Sequence, residues 1–90
     1  MAYRDSRQVW YNGFADGWDD AREGRRMTLG TDKAESQFAA HGYRGKGKIH
    51  YFWTRGYVDG YKCQSKAKRE LYPGQMESHY QLVCSEWDRK

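Results

Sequence analysis

Trp10, Phe14, Trp18 and Ala21, with Val9 beside them, recur at the three- and four-residue intervals of one apolar side of a helix. Asp5 and Gln8 stand where a capping pair would start it, so the first unit is placed at residues 5–26. Gly30 and Thr31 separate it from a short second segment, Asp32 to His41, whose apolar positions are Ala34, Phe38 and Ala39. A basic glycine-rich loop, 42–48, follows. A long helix is then predicted over Ile49 to Leu71, with Phe52, Trp53, Tyr57 and Tyr61 along it. The strand propensity of His50 to Trp53 makes a short strand the competing expectation there. Tyr72-Pro73-Gly74 reads as a stop, and a last helix at 75–88 lines up Met76, Tyr80, Val83 and Trp87 on one side. The expected fold is mostly α, one small domain over residues 1–90: a bundle of three to four helices built on a repeated aromatic/glycine helix pair.

The repeat is explicit. Trp10-x-x-Gly13-Phe14-x-Asp16-Gly17-Trp18 returns 43 positions later as Trp53-x-x-Gly56-Tyr57-x-Asp59-Gly60-Tyr61. One supersecondary unit is used twice, which predicts two helices of similar shape packed on each other. Glycine inside a helix costs about 1 kcal/mol against alanine. Gly13, Gly17 and Gly24 on one side of the first unit, and Gly56 and Gly60 on the second, therefore call for close approach of another backbone. A helix broken at these glycines is the alternative.

Composition sharpens this picture. Hydrophobic residues make up only 38% of the chain while aromatics reach 17%, with four Trp and eight Tyr. Rings with polar edges suit both a small core and an interface, so Trp10, Trp18, Trp53, Tyr57 and Tyr61 are candidates for partner contact as well as for burial. The net charge of +4 is unevenly spread. Residues 1–30 balance, whereas 41–70 hold Arg44, Lys46, Lys48, Arg55, Lys62, Lys66, Lys68 and Arg69 against Asp59 and Glu70. Cations interleaved with rings form a candidate nucleic-acid surface; a solvated basic face is the plain alternative.

Most other chemistry is disfavoured. Cys63 and Cys84 do not make a disulfide framework, and with His41, His50 and His79 they lack zinc-ligand spacing, so no metal and no cofactor is expected. Gly42-x4-Gly47-Lys48 has P-loop spacing, but Ile49 stands where the magnesium-holding hydroxyl belongs. Asp16, Asp19, Asp20 and Glu23 cluster at ordinary surface spacings and have no evident cleft, so no enzyme is expected; they would face the basic end of the second unit or a basic partner. No leader or long apolar run is evident, which predicts a cytoplasmic chain in a bacterial host cell, with no membrane contact and no small-molecule substrate. Tyr72-Pro73 is the single X-Pro bond and a candidate hold for a prolyl isomerase.

Gly13-Phe14-Ala15-Asp16-Gly17 and Trp53-Thr54-Arg55-Gly56-Tyr57 resemble the Gly-Tyr-x-x-Gly and Trp-x-x-Gly-Trp stretches of the ribosome modulation factor family. That resemblance implies an rRNA-contacting, non-catalytic protein on the small ribosomal subunit. The family joins its two helices by a short Cys-Pro-Tyr linker, whereas here a longer, proline-free segment intervenes and a C-terminal helix is added.

Two functions follow as expectations. In the first, a small basic protein docks on RNA or the ribosome, with the eight cations above holding phosphates and exposed rings stacking on bases. In the second, a phage-type inhibitor or adaptor binds a host nucleic-acid-processing complex, such as a recombination nuclease-helicase, through Trp10, Trp18, Trp53, Tyr57, Tyr61, Tyr72 and Pro73. The first predicts steep salt dependence and loss on charge reversal. The second predicts a shallow salt slope and larger losses at the rings.

Overall fold

The computed structural model describes residues 6–45, 47–67 and 73–89. They form four helices, α1 (Ser6–Arg22), α2 (Asp32–Ala40), α3 (Lys48–Ala67) and α4 (Pro73–Asp88), with no strand among the described residues. The competing strand at His50 to Trp53 is corrected to helix: those residues make the first turns of α3, where Trp53 buries against α1 and Phe52 against Tyr80 and Trp87 of α4. Pro73 opens α4 instead of closing α3, in keeping with the tolerance of a helix's first turn for a residue without an N–H. Asp5, Lys68 to Leu71 and Tyr72 lie outside the described residues.

α1 and α3 form the centre of the fold, and they run in the same direction. Gly13 sits beside Trp53 and Tyr57, and Gly17, one turn on, beside Tyr57 and Tyr61. A parallel pair needs a connection that travels back the length of the first helix, roughly 25 Å for 17 residues. Residues 23–47 make that return and use it to place α2 over the pair. Thr31 caps α2, its hydroxyl accepting from the Ala34 N–H at 3.4 Å. Gly24 is not part of the glycine side of α1, as its place in the sequence suggested. It follows the helix at φ 76°, in open space, and turns the chain away.

Two ring clusters fill the core. Trp10, Phe14 and Trp18 of α1 join Phe52, Tyr80 and Trp87, while Trp53, Tyr57 and Tyr61 of α3 join Phe38 and Tyr43. α2 and Tyr43 thus cover one side of the helix pair, and α4 covers the other with Tyr80 and Val83. Met76, Tyr80, Val83 and Trp87 do form the inward side of α4. No helix among the described residues is long and apolar enough to cross a membrane.

Burial corrects the ring half of the expected binding surface. Trp10, Trp53 and Tyr57 are 2%, 1% and 0% exposed, so none can anchor a partner or stack on a base without unfolding the centre of the molecule. Trp18 and Tyr61 are half-buried, stacked on Phe14 and Tyr57 at 6.2 Å between ring centroids. The physical reason is supply. With so few aliphatic residues, the rings are the apolar volume available to close a 90-residue core.

Candidate nucleic-acid interface

The repeat explains why α1 and α3 meet as they do. A Cβ built on Gly13 would collide with the Trp53 carbonyl oxygen and come within 3.0 Å of the Tyr57 nitrogen; one on Gly56 would collide with the Trp10 carbonyl and come within 3.0 Å of the Phe14 nitrogen. Gly17 and Gly60 repeat the exchange against the carbonyls of Tyr57 and Phe14. Each Gly-x-x-x-Gly pair is therefore the slot for the other helix's backbone, with Cα–H groups facing carbonyls. The indoles then cross over. Trp10 Nε1 donates to Asp59 Oδ2 and Trp53 Nε1 donates to Asp16 Oδ2, each at 3.0 Å. The first Trp, both Gly and the Asp of each copy thus have their mates in the other, an approximate twofold clasp. Trp, Gly and Asp recur because each is one half of a reciprocal contact.

Asp16 and Asp20 of α1 are correspondingly inward, not free for a basic partner. Asp16 also pairs with His41 Nε2 at 2.7 Å, fixing the end of α2. Asp20 is 1% exposed; burial pushes its carboxyl up, but bonds from Tyr57, Gln37 and Arg25 outweigh that and hold it below its ordinary value. The Tyr57 hydroxyl is in turn pushed up by burial and by its bond to Asp20, and it accepts from the Thr28 N–H at 3.2 Å. Asp19 and Glu23 stay at the surface, paired with Arg22 and Arg25. At the other end of the clasp Asp59 is pushed above its ordinary value by burial, against the lowering influence of Trp10, Arg55 and His79.

The cations divide into three groups. Arg44, Lys48 and Lys62 are exposed and make no ion pair with a described residue. Arg55 is half-buried, its Nη2 lying 2.9 Å from Glu86 Oε1 of α4, a partner that the local charge count did not reveal. Lys46, Lys68 and Arg69 lie outside the described residues, as does the Lys66 side chain. Lys48, Arg55 and Lys62 are seven residues apart and so share one side of α3, with a rise of about 10 Å between neighbours. Around Arg55 the polar groups are poorly matched: Thr54 Oγ1, Arg55 Nε and Glu86 Oε1 are buried without a hydrogen-bond partner among the described residues. Pro73 begins α4, and Tyr72 before it is not described. Cys63 and Cys84 are half-buried and form no disulfide.

Chemically, this arrangement offers charge and shape. The perturbed carboxyls Asp20 and Asp59 are taken up by structural bonds to Tyr57 and Trp10. No protein-family profile, curated protein or solved structure matches the chain.

Proposed function

We propose that this protein is a non-catalytic basic binding module that docks on structured RNA, the small ribosomal subunit being the best candidate surface. One observation carries the reading: Arg44, Lys48 and Lys62 stand exposed without an acidic mate, while Asp16 and Asp20 of α1 are turned inward by the clasp. The acidic groups of α1 are thereby partly withdrawn from the surface, leaving a cationic side on α3 and the loop before it. With Trp53 and Tyr57 in the core, contact runs through phosphates and not through base stacking, so recognition follows the shape of folded RNA. The partial resemblance of Gly13 to Gly17 and Trp53 to Tyr57 to ribosome modulation factors favours the ribosome over other RNAs, without supplying a residue-level contact.

The test is capture from bacterial lysate on immobilised protein, split into nuclease-treated and untreated halves, followed by binding to purified small subunits. Subunits held through a nuclease-sensitive link, and rebound when pure, support the proposal. A stoichiometric protein complex that survives nuclease sinks it.

That second outcome would fit an inhibitor or adaptor of a host nucleic-acid-processing complex. The observation favouring this reading lies on α4, where Leu82 is 62% exposed in a shallow depression with Glu77, Ser78, Gln81 and Ser85. Leu82→Asp should abolish binding under that reading and leave RNA binding intact under the first.

A further inference from the structure

We propose that Arg55 is the central phosphate contact of the α3 row and that Glu86 is a built-in competitor for it, an acidic stand-in that an RNA phosphate displaces. The inference rests on the RNA-binding reading above and names both its key residue and its restraint.

Position gives the first argument. Lys48, Arg55 and Lys62 fall at i, i+7 and i+14 on one side of α3, so Arg55 occupies the middle of the row. Lys48 and Lys62 are free of ion pairs among the described residues, and only the middle cation is neutralised. The neutralising group comes from α4, an element outside the repeat.

The quality of the contact gives the second. Glu86 Oε1 approaches Arg55 Nη2 to 2.9 Å, yet neither Oε1 nor Arg55 Nε has an aligned hydrogen bond, while Glu86 also shares a side-chain bond with Tyr51. A guanidinium beside a carboxylate normally forms a two-pronged fork, the geometry from which its strength derives. Here charge is cancelled without the fork. Elsewhere the carboxylates of this molecule are well served: Asp16 by Trp53 and His41, Asp20 by Tyr57, Gln37 and Arg25. Of the buried side-chain polar atoms without a hydrogen bond among the described residues, Arg55 Nε and Glu86 Oε1 both lie at this junction, so an exchange of partners there sacrifices little.

Access gives the third. The Arg55 and Glu86 side chains are 30% and 43% exposed, so solvent reaches part of each, while Arg55 Nε and Glu86 Oε1 are buried at the contact. A swing of the Glu86 side chain, which gives up its bond with Tyr51, releases Arg55 while Tyr80, Val83 and Trp87 keep α4 seated. A phosphate entering from solvent then takes the guanidinium with two oxygens, and the row reads Lys48, Arg55, Lys62 without a gap. Glu86 repels the same phosphate until it moves, which weakens binding to any polyanion too sparse to engage the flanking lysines as well.

The experiment uses the full chain and a fluorescein-labelled RNA duplex, with affinity measured across a salt series and folding checked by circular dichroism melts. Glu86→Gln should bind roughly 3- to 10-fold more tightly, and its log–log salt slope should steepen by close to one contact, about 0.9 for a duplex. Arg55→Gln should weaken binding and flatten the slope by the same amount. The double variant Glu86→Gln/Arg55→Gln should match Arg55→Gln alone, because the gain passes through Arg55. Arg55→Lys keeps the charge and loses the fork; it should lose several-fold in affinity at an unchanged melt, which tests the site even if Glu86→Gln loosens α4. Wild-type binding with no gain in a folded Glu86→Gln, or a gain that survives loss of Arg55, overturns the competitor role while leaving RNA binding standing. Absence of duplex binding by the wild type and Glu86→Gln alike overturns the RNA reading itself.

Discussion

Asp16 and Asp59 occupy the same position in the two copies of one motif, receive the same indole N–H at the same 3.0 Å, and yet sit in different chemistry. At the Asp16 end, α2 brings His41 to 2.7 Å and Tyr43 accepts from Asn12 Nδ2 at 2.7 Å, so the groups there are matched. At the Asp59 end, α4 brings Glu86 to Arg55 and His79 within electrostatic reach of Asp59, burial pushes the Asp59 carboxyl up, and Thr54 Oγ1, Arg55 Nε and Glu86 Oε1 are buried without a hydrogen-bond partner among the described residues. The repeat fixes what α1 and α3 do to each other. The added elements decide which end is finished structure and which keeps charged groups imperfectly matched.

The most damaging change should fall on what the two ends share. Gly13→Ala and Gly56→Ala both drive a methyl into a backbone carbonyl that cannot yield without separating the helices. Each should cost about 3 kcal/mol or more, enough to unfold much of so small a domain, and thermal melts should show the two equally severe. Unequal losses would break the reciprocity of the clasp.

Next come the indoles, where the ends should part. Trp10→Phe leaves Asp59 without its donor in a buried setting, whereas Trp53→Phe leaves Asp16 its bond from His41. Urea denaturation should place Trp10→Phe about 1–2 kcal/mol below Trp53→Phe. The reverse order would mean that His41 contributes nothing to the Asp16 end.

Smaller effects should appear in the pH dependence. The Asp20 carboxyl is held below its ordinary value near 3.8, so its contribution is present above that pH and fades as the pH falls toward the folded-state value. Asp59 runs the other way: its folded-state value is raised, so stability falls as the pH climbs from about 3.8 through that value. Asp59→Asn, whose amide oxygen still accepts from Trp10, should melt at or above the wild type at pH 7, and the difference should shrink on acidification. Asp20→Asn should melt lower at pH 7 and lose part of the acid sensitivity. Melts at pH 3, 5 and 7 separate the two. The smallest change expected is His41→Gln, which keeps a donor for Asp16 and should shift the midpoint by only a degree or two.

Much of the fold was legible because the repeat is a physical statement. Glycines at a cost within a helix announced close backbones, and Gly13, Gly17, Gly56 and Gly60 are where α1 and α3 touch. Gly24 misled, since sequence spacing alone does not say where a helix ends. The crossed Trp–Asp bonds were not legible: a pattern within each copy carries no sign of which copy a side chain will reach. Trp10, Trp53 and Tyr57 read equally as core or anchor, and only packing distinguishes these. The inward turn of Asp16 and Asp20 was hidden for a similar reason, because i, i+4 carboxylates look like surface until a Trp N–H or a Tyr hydroxyl arrives from another helix. The pairing of Arg55 with Glu86 joins residues 31 positions apart on different helices, beyond any local count of charge.

Rings hold the molecule together, and under the proposed function the cations of α3 and its preceding loop are what contact RNA. Sedimentation of the protein with purified small ribosomal subunits over a range of potassium chloride tests it most directly, comparing wild type with Arg44→Glu/Lys48→Glu/Lys62→Glu. The expected result is an unchanged helical spectrum and melt, a steep fall of wild-type binding with salt, and at least about a tenfold loss in the triple variant. Binding that is indifferent to salt and equal in the two proteins would contradict it.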